Sequence, residues 1–308
     1  MKKRTDNFSK FAVKKSNAAI KEEFKQEKRK YKKERAEFFE KKKAEERGLE
    51  SKQKGIVTKA AIPRPALTGE MPLNKYVAHA GICGRREAAE LVKEGKVQVN
   101  KEVITEPGFK VKESDEVKVN GKKIFPSRNL VYVLLNKPKD YLTTTDDPQN
   151  RKTVLDLIKR ATTERVFPVG RLDRNTSGVL LLTNDGELAQ QLTHPKHEIK
   201  KIYAVTLDKP LEKNHFDQIL KGLTLEDGPV NVDVLAYSDV SDKTQVGVEI
   251  HNGRNRIVRR IFEAVGYDVK KLDRVMFAGL TKKNIERGKW RFLTEKEVRD
   301  LKHFKKGR

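Results

Sequence analysis

Apolar positions are sparse before Met71 and become regular after it. Leu73, Val77 and Ala80 recur at helical spacing, Gly81 and Gly84 interrupt them, and Ala88, Leu91 and Val92 resume the period. Two short β-type runs follow at residues 97–99 and 117–119, and Asn120-Gly121 is a hairpin-turn signal. These segments predict a compact module of about 50 residues, within the range that folds alone.

Beyond the Pro126-Ser127-Arg128 linker the period changes again. Residues 130–135 predict a strand, and Asn136-Lys137-Pro138 turns the chain. Thr153 can cap a short helix carrying Val154, Leu155, Leu157 and Ile158, and Asn184 or Asp185 another through residues 188–192. Residues 202–207 alternate, with Tyr203 and Val205 on one face. Phe216, Ile219 and Leu220 mark a helix ended by Gly222. Strands at residues 246–250 and 275–277 bracket a loop and helix over 254–266, and Thr294-Glu295-Lys296-Glu297 is a capping box. This irregular alternation predicts an α+β protein with a mixed, largely antiparallel sheet flanked by helices.

Between the buried-strand runs at residues 166–169 and 179–182 lies Gly170-Arg171-Leu172-Asp173-Arg174-Asn175-Thr176-Ser177-Gly178. A polar loop held rigidly by two strands is a place for chemistry. Asp173 stands between Arg171 and Arg174, so one guanidinium could keep it ionised while the other meets an anionic ligand. The same residues also suit an ordinary turn.

The chain has 308 residues and a formal net charge of +24, which points to a polyanion, RNA or DNA, as partner. Half of that excess falls in residues 1–66, with 22 Lys or Arg against 10 Asp or Glu. Residues 1–69 are expected to be a disordered basic tail adding phosphate affinity, or a mere spacer. No run approaches a membrane span or a signal-peptide core, which predicts a cytoplasmic protein. The single cysteine, Cys83, excludes an internal disulfide and reads as a packing residue in an apolar helical segment. His194-Pro195-Lys196-His197 lacks the partners a metal site needs. Arg254, Arg256, Arg259 and Arg260, entering a helix, should face one way as a concentrated anion site.

Leu73-Asn74-Lys75-Tyr76, Ala80-Gly81-Ile82-Cys83-Gly84-Arg85-Arg86-Glu87-Ala88 and Gly95-Lys96-Val97-Gln98-Val99-Asn100 together resemble the alpha-L RNA-binding domain of ribosomal protein four of the small subunit. The resemblance implies that Arg86 and its helical turn contact RNA phosphates, with Arg85, Lys93, Lys96 and Lys101 on the same cationic face. Residues 170–178, Leu181-Leu182-Thr183-Asn184-Asp185-Gly186, His194-Pro195, Lys201, Tyr203 and residues 253–266 are similar to the RsuA and RluB branch of the pseudouridine synthases. This covers about residues 71–295 and divides the chain into the tail, an RNA-binding domain over 70–125 and a catalytic domain over 126–308.

The branch implies a monomer without cofactor or metal that isomerises uridine in ribosomal RNA, free or in an assembly intermediate. Asp173 would attack the nucleoside so that the N-glycosidic bond breaks, the uracil turns and a C–C bond forms at C5. Tyr203 would stack on uracil and help remove the C5 proton, and Arg259 would pair with Asp173. Arg171 would fill the space left by the flipped uridine, and Arg256 would meet phosphate, with Arg254 and Arg260 beside it. Ile257 stands where the branch commonly has glutamine, which bears on target preference. The Gly253-Arg254-Asn255-Arg256 form and the chain length favour large-subunit 23S rRNA over small-subunit 16S rRNA. A non-catalytic ribosome-associated protein would share the charge without needing Asp173, Tyr203 and Arg259 together, and a nucleosidase would call for paired carboxylates.

Overall fold

The computed structural model describes residues 69–303 except Arg128 and Val240, together with Gln26 and the backbone of Ile62–Pro63. The expected basic tail lies outside the described residues. Among those described, no helix is long and apolar enough to cross a membrane.

The first module has its own core. Helices α1 (Leu73–His79) and α2 (Arg85–Lys93) pack Leu73, Tyr76, Val77, Ala88 and Val92 against strands β1 (Val97–Val99), β2 (Val117–Val119) and β3 (Lys122–Ile124). Val119 pairs with Lys122 across Asn120-Gly121, whose φ values of 48° and 77° match the two left-handed positions of a type I′ turn. Cys83 is buried as expected, but in the turn between the helices and not in a helix, because Gly81, at φ 79°, follows the end of α1 and Gly84 caps α2 after it.

The larger domain is built on one sheet. Its strands are β4 (Tyr132–Lys137), β5 (Ser177–Thr183), β6 (Lys201–Leu207), β7 (Leu223–Leu225), β8 (Gly228–Val230), β9 (Val234–Tyr237), β10 (Gln245–Ile250), β11 (Val269–Phe277) and β12 (Trp290–Phe292). The main sheet runs β9-β10-β6-β11-β5-β4-β12, and β7 and β8 form a separate hairpin. Only the central β5–β11 pair along that path is parallel, so the sheet is mixed and largely antiparallel. Helices α3 (Val154–Ile158), α5 (Lys213–Lys221) and α6 (Ile257–Glu263) cover one face, and α4 (Gly186–Thr193) and α7 (Glu295–Lys302) the other. The caps fall where the sequence puts them. Thr153 and Thr294 close capping boxes, and the Asp185 carboxylate accepts from the Leu188 amide.

Two expectations are corrected. The strand at residues 275–277 begins six residues earlier, at Val269, and Leu220 on α5 is exposed. The first half of β11 is rich in Lys270, Lys271, Asp273 and Arg274, and no apolar alternation announces it. Its pairing with β6 and β5 makes it a central strand.

Register then does what spacing cannot. Gly178 on β5 lies opposite Lys137 on β4 and Arg274 on β11, and Arg274 lies opposite Tyr203 on β6. Four distant segments thus contribute to one cross-strand row. Gly178 has φ +116°, and a β-carbon there would collide with the Arg274 backbone, so only glycine permits this close parallel approach.

Candidate active site

The loop from Gly170 to Thr176 leads into β5 at that row and forms one wall of a cavity of about 720 Å³. Arg171, Asp173, Tyr203, Arg254, Arg256 and Arg274 all line it.

The loop is held from beneath by Lys137, which is fully buried. Its ammonium donates to the carbonyls of Thr176 at 2.8 Å, Pro138 and Asp173 at 3.1 Å and Arg174 at 3.3 Å. Thr143 Oγ1 donates to the Leu172 carbonyl at 2.8 Å, and the Asp140 amide to the Arg174 carbonyl at 2.9 Å. These bonds grip the backbone and leave the Asp173 carboxylate free to project, half-buried, into the cavity.

Asp173 meets a guanidinium from elsewhere in the sequence. Arg259 Nε lies 3.9 Å from Asp173 Oδ2, with Arg259 only 11% exposed. Its Nη1 donates to the Val269 carbonyl at 2.7 Å, which aims the group, and Nε makes no shorter bond. The partner is the one the family resemblance implied, and the expectation from chain neighbours, that Arg171 or Arg174 serves Asp173, is corrected. Arg174 Nε pairs with Asp140 at 3.3 Å, and Arg171 is exposed on the cavity rim.

The arginine run is also corrected. Successive helical positions radiate around the axis, so its members do not share a face. Arg254 and Arg260 both grip Asp227 in the turn between β7 and β8, at 3.1 and 2.7 Å, and hold its carboxyl down at about 2. Arg254 also donates to the Gly228 and Pro229 carbonyls. Arg256 pairs with Glu263 at 3.3 Å from a left-handed position, φ 48°, where the loop enters α6. Only Arg259 turns inward to Asp173. Ile257 is buried beside the cavity.

In the first module Arg85 and Arg86 are exposed at the start of α2, and Lys96 pairs with Glu94 at 2.6 Å. Arg85 faces a second cavity of about 370 Å³, shared with Glu164, Arg165 and Glu187 of the larger domain. The module is tied there by Lys75 to Glu187 at 3.0 Å, and the linker residue Ser127 donates to Glu164 at 2.9 Å. His194 Nδ1 accepts the Lys196 amide, and among the described residues no cluster of His, Cys, Asp or Glu could hold a metal ion.

Sequence reasoning missed Lys137, Arg274 and Asp227. A lysine closing an apolar strand directly before proline was the available signal for the first.

Burial pulls Lys137 down to about 8, the charge of Asp173 opposing this. Burial and the nearby Arg274 do the same to Lys201, which donates to the His251 and Ile199 carbonyls. A neutral amine donates two hydrogens instead of three. Turnover is therefore expected to decline as pH rises through about 8. Stability contributed by these lysines moves oppositely, since the unfolded chain keeps both protons up to about 10.4 and binds more of them in that window. Profiles of kcat and Tm between pH 7 and 10 check this: kcat should fall over the window in which these two lysines make Tm rise.

The profile of the RNA pseudouridylate synthase family matches residues 131–264, and that of the S4 domain matches residues 71–117. Over 75% of its length the chain is 43% identical to the ribosomal large subunit pseudouridine synthase B of Bacillus subtilis, covering 95% of that protein. The chain belongs to the RNA pseudouridine synthases, with an S4 domain in front of the synthase fold. It is also 37% identical to the dual-specificity RNA pseudouridine synthase RluF of Escherichia coli, over 74% of this chain and 77% of that one. A crystal structure of a pseudouridylate synthase superposes with a TM-score of 0.55 at 28% identity, covering 75% of this chain and 99% of the other.

Proposed function

We propose that this chain isomerises a uridine of ribosomal RNA, in the large subunit, to pseudouridine, with Asp173 as the nucleophile. The observation that carries the reading is the Asp173 carboxylate projecting into a cavity large enough for a flipped nucleotide, paired with the inward Arg259 and sharing the cavity with Tyr203. A uridine must leave its stack for its sugar carbon to meet a protein carboxylate. Arg259 keeps the carboxylate oriented, and Tyr203 offers a ring face to uracil and a hydroxyl for the C5 proton. Exposed Arg171 on the rim is suited to the space the uridine vacates.

Arg256, at the cavity edge, can exchange its exposed pair with Glu263 for a phosphate, while Arg254 and Arg260 brace the β7–β8 turn that frames the arginine loop. Arg85, Arg86 and Lys96 extend the contact to RNA outside the cavity. The name of the Bacillus subtilis relative, a ribosomal large subunit pseudouridine synthase, supports ribosomal RNA as the substrate and the large subunit over the small.

The test is a pseudouridine map of rRNA from cells lacking the protein, read by carbodiimide-blocked primer extension. One large-subunit position should disappear and return with the wild-type chain. Loss of a small-subunit position would transfer the assignment to 16S rRNA, and an unchanged map would favour the binding-only reading.

A further inference from the structure

Arg274 is 2% exposed in the row where β11 meets Gly178 and Tyr203. Its Nε donates to the Val179 carbonyl at 2.8 Å, and the guanidinium lies 4.6 Å from the centre of the Phe277 ring. Its Nη2 is buried and has no hydrogen-bond partner among the described residues. The neighbouring carboxylate does not compensate it. Asp273 accepts from Ser177, Lys282 and Arg287 instead. Successive strand residues point to opposite faces, which separates the two side chains. Burial opposes the charge of the guanidinium, and Tyr203, by its charge and by hydrogen bonding, favours it.

A buried cation with an unused donor is costly to a fold, and it persists where a ligand completes it. Arg274, Tyr203 and Asp173 line one cavity. The Asp173 assignment above, on which the present inference rests, makes the missing partner an anion that exists only during turnover. As an Asp173 oxygen bonds to C1′, the N1–C1′ bond breaks and its electron pair leaves on uracil, delocalised over O2 and O4. We propose that Arg274 is a catalytic residue whose Nη2 donates to this uracil anion. The ring then turns, C5 bonds to C1′ and the Asp173 carboxylate departs with the C1′–O pair. The C5 proton is lost and N1 regains one, so no oxidant, reductant or co-reactant is consumed. Arg274 keeps its proton throughout, because a guanidinium donates hydrogen bonds and does not titrate at neutral pH.

The experiment compares full-length Arg274→Gln and Arg274→Lys with wild type in single turnovers, on target RNA carrying uridine or 5-fluorouridine, and follows the breaking of the N1–C1′ bond in both, since C5 of the fluorinated ring carries no proton to release. The fluorinated ring is the better leaving anion and needs less stabilisation. Arg274→Gln should slow the uridine substrate about 100-fold, the usual loss for one anion-stabilising donor, and the fluorinated one about 10-fold or less. Apparent RNA affinity should stay within about threefold, because the interaction arises after binding. Arg274→Lys, which keeps the charge but not the fork, should show the same ordering with smaller losses, and it carries the comparison if the glutamine variant does not fold. Equal slowing of both RNAs, or a loss confined to affinity, overturns the proposal. Asp173→Asn is measured alongside. Turnover retained there would defeat the nucleophile assignment separately.

Discussion

Asp173→Asn is expected to reduce isomerisation about 10⁴-fold or more, the scale of losing a covalent nucleophile, while RNA affinity stays within about threefold. The amide has the same shape as the carboxylate but neither its charge nor its nucleophilicity. The loop should survive the change, because Lys137 and Thr143 hold it by backbone carbonyls and not by the Asp173 side chain. The one ion pair lost is a 3.9 Å contact with Arg259, which keeps its bond to the Val269 carbonyl. Single-turnover assays with a filter-binding isotherm separate the two quantities. Residual activity above about 1% of wild type, or an equal loss of binding, would remove Asp173 from the chemistry.

The second large effect belongs to a residue that never touches the substrate. Lys137→Met is expected to destabilise the chain by about 3 kcal/mol, since carbonyls that shared one buried ammonium lose their donor together. It should also cut kcat by about 100-fold, because a displacement of about 1 Å in a reacting group is enough for that. Methionine matches the lysine stem in length, so the packing beneath the loop is kept and the donor alone is removed. Urea unfolding and kcat at saturating RNA are the two measurements. A destabilised variant with unchanged kcat would mean that Thr143 and the Asp140 amide position the loop without Lys137.

Much of the fold is written in short-range patterns. The alternation around Tyr203, the Asn120-Gly121 turn and the caps at Thr153, Asp185 and Thr294 each involve residues a few positions apart, and each appears where it was expected. The loop carrying Asp173 was legible for the same reason, as a polar insertion between apolar runs. β11 was only half legible. Its charged first half satisfies its backbone by pairing on both sides, so the strand forms without an apolar alternation.

The site's ion pairs were not legible in this way. With 68 Lys and Arg and 44 Asp and Glu, nearness in the chain does not choose partners. Arg171 and Arg174 are Asp173's neighbours in sequence, yet Arg259 is its partner. Arg254 and Arg260 look like phosphate ligands, yet both turn to Asp227.

By itself the sequence determined the elements, the two kinds of domain and the presence of Asp173 on a rigid polar loop, because periodicity, capping and turn chemistry act over a few residues. The family resemblance supplied Arg259 as the partner of Asp173, and the tertiary structure alone decided that Lys137 anchors its loop and that Arg274 Nη2 is left without a partner in the cavity wall. Coulombic attraction and hydrogen bonding act over a few ångströms, and only the strand register brings residues 137, 178, 203 and 274 within that reach.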